Sequence, residues 1–335
     1  MRYLSLSSIA FVLCLAFVFQ PQIAFTRTAT PTPPAPSKTP EPTTTAVEDP
    51  QAESIATSEH TPLPRPFTQT DLQVLTGNVQ RPNGVIWYND KLYSVCNGDW
   101  TLYELDAVTG STQSYIYGVR NGHTLLIDEL DGDAFDIWVP DYDTNTLLRV
   151  NPVRAPQPVA TDLQGPWGIA WQDDEHFLIS NLTGNNLVRV SRDGEVEEVM
   201  NGLRSPTGVA VNDDVVFVAN NGSARRSIEW VGLDELLKGD AESSPLVTGL
   251  QNTTGLVVGP DGMLYFAYAL GTRGVVGRVD PALCMENGGC TNDQTEVVLY
   301  TELAAPLAGL TLSDDMRLFI HTIYRPEIYW VQLPQ

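Results

Sequence analysis

The sequence predicts an all-β protein, a six-bladed β-propeller, from three observations. A Pro-x-Gly-Ile/Val-Ala element recurs about every 45 residues, which is the length of one four-stranded propeller blade. Each copy is followed by short apolar runs separated by Gly, Asn and Asp, with no helical period. The last repeat ends before its fourth strand, and a segment of matching type precedes the first repeat. A closed ring explains these observations, whereas a β-sandwich explains neither the repeat nor the missing strand.

The recurring element opens the innermost strand, strand a, of each predicted blade. Its copies are Pro82-Asn-Gly84, Gly122-His-Thr, Pro166-Trp-Gly168, Pro206-Thr-Gly208, Thr253-Thr-Gly255 and Pro306-Leu-Ala-Gly309. Strands b, c and d follow each copy, except that the sixth blade lacks its own strand d. We expect Leu72–Gly77 to supply that strand, which closes the ring and removes a sheet edge.

Two segments precede the predicted ring. A charged start and the apolar run Leu4–Phe19 predict that residues 1–27 are a signal peptide, either cleaved or retained as a membrane anchor. Residues 28–66 are rich in Thr and Pro and predict a disordered linker, either a stalk or a passive spacer. Residues 67–335 form the propeller. The expected location is extracytoplasmic, secreted or anchored at the cell surface, with membrane attachment only through the N-terminal segment.

Cysteine usage agrees with export. Cys284 and Cys290 flank an Asn-Gly-Gly turn, a plausible geometry for a disulfide in an oxidising compartment. The alternative is a metal site, but two thiols without a nearby His make a poor zinc cage. Cys96 alternates with apolar residues and is predicted to be a buried free thiol.

The formal net charge is −22, from 41 acidic residues against 19 Lys and Arg. Such an excess repels phosphate backbones, so nucleic acid is excluded as a partner. A small molecule, a glycan or a protein remains compatible with this charge, and the propeller is expected to be monomeric.

In an up-and-down blade, strand a starts and strand b ends on the same face, so these positions from all blades meet at one channel mouth. Ligand-binding candidates there are Asn83, Asn97, Asp141, Trp167, Asn181, Asn220, Tyr268 and Tyr324. The side-chain carbonyl and carboxylate oxygens in this set are ligands that a divalent cation such as Ca²⁺ prefers. The metal candidates are Asn83, Asp141, Asn181 and Asn220. Asn and Asp are also common turn residues, and a turn role is the competing interpretation. His123 is the one histidine well placed as a catalytic base.

The Pro-x-Gly openings, the Asp-Gly turns and the Leu-Tyr or Val-Phe b strands, seen best in Gly255–Tyr265, resemble the NHL-repeat and senescence-marker-protein/gluconolactonase-like six-bladed β-propeller superfamily. The resemblance covers residues 68–335. It implies a divalent metal held by a Glu near the start of blade 1, an Asn in a Pro-Asn-Gly element and a later Asp. Asn83 matches that Asn, whereas Arg81-Pro82 contains no Glu, and Thr207 and Asn220 stand at the later positions.

Two functions follow as hypotheses. The first is an exported propeller that binds a ligand or protein partner at the channel mouth, because no Gly-x-Ser-x-Gly elbow or His-Glu-x-x-His motif occurs. The alternative is an enzyme, either a divergent metal-dependent lactonase, hydrolase or lyase, or a quinone-dependent sugar dehydrogenase. The fold relatives and the Asn/Asp-rich mouth favour this alternative.

Overall fold

The computed structural model describes residue 60 and residues 62–239 and 241–335. The predicted signal segment and the linker up to residue 59 lie outside the described residues. The described chain is almost entirely β, and its helices are short: α1 (Leu233–Leu236) and α2 (Pro281–Glu286), with 3₁₀ turns at Ala224–Arg226 and Asn292–Gln294. Within these residues, no helix has the length and apolar character needed to cross a membrane.

In the described residues six sheets follow one another along the chain, and in each of them strands a, b, c and d are antiparallel neighbours from the axis outward. The first strand of the chain is β1 (Gln73–Thr76). Blade 1 consists of β2 (Pro82–Tyr88), β3 (Lys91–Cys96), β4 (Thr101–Asp106) and β5 (Thr112–Tyr117). Blade 2 consists of β6 (Leu126–Glu129), β7 (Phe135–Asp141), β8 (Thr146–Val150) and β9 (Pro156–Ala160). Blade 3 consists of β10 (Pro166–Asp173), β11 (His176–Asn181), β12 (Asn186–Ser191) and β13 (Val196–Met200).

The second half of the ring is less regular. Blade 4 consists of β14 (Pro206–Asn212), β15 (Val215–Asn220), β16 (Ile228–Gly232) and β17 (Ser244–Thr248), with a fifth short strand, β21 (Cys290–Thr291), added outside β17. Blade 5 consists of β18 (Leu256–Val258), β19 (Leu264–Leu270), β20 (Arg273–Val279) and β22 (Glu296–Ala304). Blade 6 consists of β23 (Gly309–Leu312), β24 (Arg317–His321) and β25 (Ile328–Gln332), and β1 is its fourth strand.

The predicted closure of the ring is confirmed. β1 lies antiparallel to β25, with Gln73 opposite Trp330 and Val74 opposite Tyr329. The apolar faces of adjacent blades form the core, so each cluster of buried side chains draws on two or more neighbouring sheets. In the cluster that joins blade 6 to blade 1, Leu75 packs with Phe319 and Leu92. The ring is therefore held by the same apolar packing at its seam as elsewhere.

Two outer edges are covered by segments from elsewhere in the chain. The predicted disulfide between Cys284 and Cys290 is present, and the loop it closes places Cys290 parallel to Val247 at the edge of blade 4. On blade 5, Phe67 lies parallel to β22, donating its N–H to the Val298 carbonyl at 2.8 Å. Covered edges do not pair with other chains.

Two further outer strands, β9 and β13, carry residues that discourage edge pairing. Pro156 and Pro158 remove backbone donors from β9, and Glu197 and Glu198 place exposed charges along β13. Proline and charge are the usual means by which a sheet edge avoids association.

Candidate functional site

The glycine of the recurring element allows neighbouring blades to approach each other at the axis. A Cβ on Gly84 would lie 2.8 Å from the carbonyl oxygen of Gly122 in the next blade. A Cβ on Gly208 would lie 2.7 Å from the Cβ of Leu256 and 2.8 Å from the Thr254 oxygen. Any larger residue would push two innermost strands apart, so this glycine is required for the packing of the ring.

The residues that open strand a also join the blades by hydrogen bonds. Thr124 Oγ1 donates to the Trp167 carbonyl at 2.7 Å, linking blade 2 to blade 3. Thr207 Oγ1 donates to the Thr253 carbonyl at 3.0 Å, and Thr254 Oγ1 donates to the Leu307 carbonyl at 2.7 Å. These bonds hold neighbouring blades together at the mouth. The mouth is the end of the channel where strand a begins.

Three predicted ligand residues at the ends of b strands occupy equivalent positions in successive blades. Each accepts a hydrogen bond from a backbone N–H that precedes strand a of its own blade. The pairs are Arg120 N to Asp141 Oδ2 at 2.8 Å, Gln164 N to Asn181 Oδ1 at 3.1 Å and Arg204 N to Asn220 Oδ1 at 2.9 Å. The repeated bond fixes the loop that leads into strand a, which is the turn role considered above.

The fit of these side chains to a divalent cation can be judged from their oxygens. Asp141 Oδ1 also faces the N–H groups of Asp143 and Thr144, at 3.2 and 3.3 Å. Of the four metal candidates, Asn83 has a side-chain oxygen that is buried and lacks a hydrogen-bond partner. No group of three or more His, Cys, Asp or Glu in the described parts of the chain could hold a metal. Asp141, Asn181 and Asn220 already use side-chain oxygens to accept from backbone N–H groups, so they fit a cation poorly, and the assignment of the four residues as metal ligands stays a prediction.

A compact group of aromatic rings lies where blades 2 and 3 meet at the mouth. His123 stacks on Trp167, with ring centroids 3.3 Å apart and planes inclined by 7°. Tyr142 meets both rings edge-on, at 5.8 Å from His123 and 6.1 Å from Trp167. Burial lowers the pKa of His123 to about 3, and the neighbouring His321 contributes to the same direction. The imidazole of His123 is thus neutral at pH 7.

A second histidine, which the sequence did not single out, belongs to the same region. His321 ends β24 opposite Gly309, and its Nε2 lies 3.0 Å from where a Cβ of Gly309 would stand. Its side chain is fully buried, which lowers its pKa to about 4, while the Pro82 backbone opposes part of that shift. Apart from the Pro82 backbone, no described residue is a hydrogen-bond partner of its ring nitrogens. Strand alternation could have identified it, because His321 shares a face of β24 with the core residue Phe319.

A chain of polar side chains leads from the axis to the surface. Asn83 Nδ2 donates to Asn121 Oδ1 in the next blade, and Asn121 Nδ2 donates to Asp143 Oδ1 at 2.8 Å. Asn83 is 1% exposed, whereas Asp143 is exposed to solvent. We use the term mouth cluster for Asn83, Asn121, His123, Tyr142, Trp167 and His321.

The remaining predicted site residues lie elsewhere. Asn97 follows β3, and its Oδ1 is buried without a partner. Tyr268 packs in the core near Phe266, and burial raises its pKa to about 12. Tyr324 lies in the turn between β24 and β25 and exposes 60% of its surface. The structure thus brings together Asn83, His123 and Trp167 and distributes the other candidates around the ring.

Comparison with solved structures identifies the architecture. The chain superposes on a gluconolactonase from Xanthomonas campestris with a TM-score of 0.62 and 14% identity, covering 78% of this chain and 89% of that one. The fold is that of the gluconolactonase-like propellers. It is also similar to regucalcin, a calcium-binding protein from Agrobacterium tumefaciens, with a TM-score of 0.59 and 15% identity over 80% of this chain and 95% of that one.

A streptogramin B lyase gives a TM-score of 0.56 and 16% identity, covering 77% of this chain and 96% of that one. The resemblance inferred from the repeats is therefore confirmed at the level of the fold. No family model matches the sequence, and no curated protein sequence matches it either.

Proposed function

We propose that the protein binds a small polar ligand, a sugar or a lactone, at the mouth cluster. One observation carries the proposal: Asn83 Oδ1 and His123 Nδ1 are buried without a hydrogen-bond partner, and the buried His321 imidazole faces only the Pro82 backbone. An unpaired polar atom in the interior costs free energy, about 1–3 kcal/mol for each group. A ligand carrying hydroxyl and carbonyl groups would satisfy these atoms.

The protonation state favours binding over base catalysis. With a pKa of about 3, His123 is neutral at pH 7 and is a poor proton acceptor for a general base, which works best near the operating pH. A neutral imidazole offers one donor and one acceptor, which matches a hydroxyl group. The second observation in favour of a sugar is the presence of Tyr142 and Trp167, since half-exposed aromatic rings pack against the apolar faces of sugar rings.

The ligand would approach along the rim formed by blades 2 and 3. Asn121, Tyr142 and Trp167 are each half-buried, while Asn83 and His321 lie deeper. Asn121 connects the buried Asn83 to the exposed Asp143, because it accepts a hydrogen bond from Asn83 and donates one to Asp143. We therefore expect Asn121 to be the residue on which affinity depends most.

Calorimetric titration with glucose, N-acetylglucosamine and gluconolactone tests the proposal. The expected result is binding of at least one of these compounds, weakened about tenfold by Asn121→Ala because a buried hydrogen bond contributes about 1.4 kcal/mol. Asn201→Ala, at an exposed site in blade 3, is the matched control and should bind as the wild type does. Absence of binding by all three compounds, or equal binding by Asn121→Ala, would refute the proposal.

An enzymatic role is the second candidate, favoured by the fold shared with a gluconolactonase and a streptogramin B lyase. A metal-dependent lactonase would hydrolyse gluconolactone faster than the buffer does and lose this activity to a chelator. A rate that matches the buffer, with and without added Ca²⁺, would leave binding as the function.

We also propose that the protein works outside the cytoplasm as a monomer. The disulfide between Cys284 and Cys290 supports an oxidising compartment. The apolar run Leu4–Phe19 supports export. Fractionation of cells that express the full chain tests the location, and recovery in the cytoplasm alone would contradict it.

A further inference from the structure

The inner part of the propeller channel is an apolar cavity. Strand a of every blade contributes to a cavity of about 310 Å³, and most of the side chains that line it are aliphatic. The polar side chains on its wall are Thr124 and Thr311, and both hydroxyls are already used in bonds between blades. A cavity with an apolar lining accepts apolar groups more readily than water.

The cavity is closed at the mouth and accessible from the opposite end. Thr207 and Leu307, which open their strands, are fully buried. Further along strand a, Ile86, Trp171 and Val211 are partly exposed. Exposure therefore increases toward the far end of the channel, where strand a turns into strand b.

A polar cleft of about 690 Å³ lies at this far end, on blades 1 to 3. It is lined by Tyr88, Ile127, Asp128, Glu129, Trp171, Asp173, Asp174 and Arg192. Trp171 lines both the cleft and the channel cavity. The two spaces therefore meet at this side chain, and each has a volume typical of a small-molecule site.

The charges in the cleft are only partly compensated. Arg192 forms a two-bonded ion pair with Asp128, one of the bonds being 3.0 Å long. Asp173 pairs with His176 at 2.8 Å. Within the part of the chain that the structure describes, neither Glu129 nor Asp174 forms an ion pair. The cleft thus retains negative charge beside an apolar cavity.

The indole of Trp171 already shows how a cation is accommodated here. The Arg192 guanidinium carbon lies 4.8 Å from the centre of the Trp171 ring, which is cation–π geometry. Phe177 packs against the same indole at 4.5 Å, which fixes the ring in place. The Trp171 indole, which borders both the cleft and the channel, is therefore held in place by its neighbours.

We propose that the far end of the channel is a second ligand site, distinct from the mouth cluster, that takes a small amphiphilic organic cation. The apolar part of the ligand lies in the channel cavity, and its ammonium group lies in the cleft near Glu129 and Asp174. The apolar cavity behind the carboxylates distinguishes this site from an ordinary acidic surface, because it requires a ligand with both a charged head and an apolar body. The site does not depend on the function proposed for the mouth.

Calorimetry with hexyltrimethylammonium as the probe tests this site on the full propeller. Binding is expected, and tetramethylammonium, which lacks the alkyl chain, should bind at least tenfold more weakly. Hexanoate, which has the opposite charge, should not bind. The double variant Glu129→Gln/Asp174→Asn should lose about tenfold in affinity for the probe, and the loss should shrink at high salt.

The matched control is Glu286→Gln/Glu302→Gln, which removes the same charge from two exposed positions. Glu286 lies at the end of α2, and Glu302 lies in β22 of blade 5. It should leave the affinity for hexyltrimethylammonium unchanged. A second variant, Ala210→Phe, fills the channel and should weaken the alkyl probe but not tetramethylammonium. The proposal is overturned if the probe does not bind, if both double variants bind alike, or if hexanoate binds as well as the cation does.

Discussion

His123 in blade 2 and Trp167 in blade 3 stack face to face, with ring centroids 3.3 Å apart. They stand at matching places in successive repeats, so the contact crosses the boundary between two blades. The stack buries one side of the imidazole and holds its Nδ1 away from water. Protonation of His123 would place a charge in this apolar setting, which gives the fold a pH dependence.

Acid should destabilise the propeller through its two buried histidines. Their pKa values, about 3 for His123 and about 4 for His321, lie below the value of about 6.5 in an unfolded chain. Below about pH 6.5 the unfolded state therefore binds more protons than the folded state. The stability that the two neutral histidines contribute is complete above about pH 6.5 and is lost as the pH falls toward the folded-state pKa values. As the pH falls from 6.5 to 5, each histidine should reduce the free energy of unfolding by about 2 kcal/mol. Urea denaturation at the two pH values measures this change.

The variant His321→Leu should show a smaller loss of stability over the same range, because one of the two groups no longer titrates. His176→Gln is the control, since His176 pairs with Asp173 at the surface of blade 3. Equal pH dependence in the wild type and His321→Leu would contradict the assignment.

Closure of the ring by β1 predicts three outcomes for N-terminal deletions. Removal of residues 28–59 should leave the melting temperature unchanged. Removal of residues 28–69 should lower it, because Phe67 and Leu63 pack against the core of blades 5 and 6. Removal of residues 28–77 should abolish cooperative unfolding, because β25 loses its partner. Equal melting of the first and third deletion variants, followed by circular dichroism, would refute closure.

The axial glycines should tolerate no side chain. Gly208→Ala places a Cβ within 2.8 Å of three atoms of the neighbouring blade, and should cost about 1–3 kcal/mol of stability. Gly77→Ala is the matched control, since its nearest neighbour would be the flexible side chain of Glu327 at 3.7 Å. Urea denaturation of both variants provides the test, and equal stabilities would show that the close approach has no energetic weight.

Reduction of the disulfide should loosen the outer edge of blade 4. The loop between Cys284 and Cys290 is short, so its loss should cost about 2 kcal/mol. The double variant Cys284→Ser/Cys290→Ser should match the reduced wild type and show no response to reductant. A wild-type protein whose melting temperature is insensitive to reductant would contradict this expectation.

Cys96 should be unreactive in the native protein. Its side chain is fully buried, and burial raises the pKa of the thiol to about 12, so almost no thiolate exists at pH 8. Iodoacetamide should label the Cys96 peptide only after denaturation, as followed by mass spectrometry. Rapid labelling under native conditions would indicate that blade 1 opens.

Much of the fold could be predicted from the sequence because the repeat carries it. The Pro-x-Gly element at Gly84 and Gly208 marks the axis, since only glycine fits between the blades there. The position of Leu72–Gly77 was predictable for a different reason. The sixth blade lacked a strand d, and this strand-like segment before blade 1 belonged to no other blade. Both inferences depend on counting repeats and need no knowledge of long-range contacts.

The site was less predictable because most of its members come from different blades and meet only when neighbouring blades pack together. Asn121 and Tyr142 stand in ordinary loop sequences. Asn121 contacts Asn83 across the boundary between blades 1 and 2, and Tyr142 contacts His123 within blade 2. Cys290 pairs with blade 4 and Phe67 with blade 5, and both residues lie in segments outside the repeated blade pattern. The repeat therefore does not predict these two pairings. At the far end of the channel, Asp128 and Arg192 are 64 residues apart, a pairing that spacing does not indicate.

The sixth blade combines residues 73–76 with residues 309–332, the two ends of the folded region. During synthesis, β1 leaves the ribosome long before its partner β25 exists. The first five blades can therefore assemble in order, while β1 carries an exposed Val74 and an unpaired edge for most of that time. Closure joins the contacts of greatest sequence separation, and we therefore expect it to be a late and slow event in folding. A chain truncated before blade 6 would keep an open edge and be prone to aggregation.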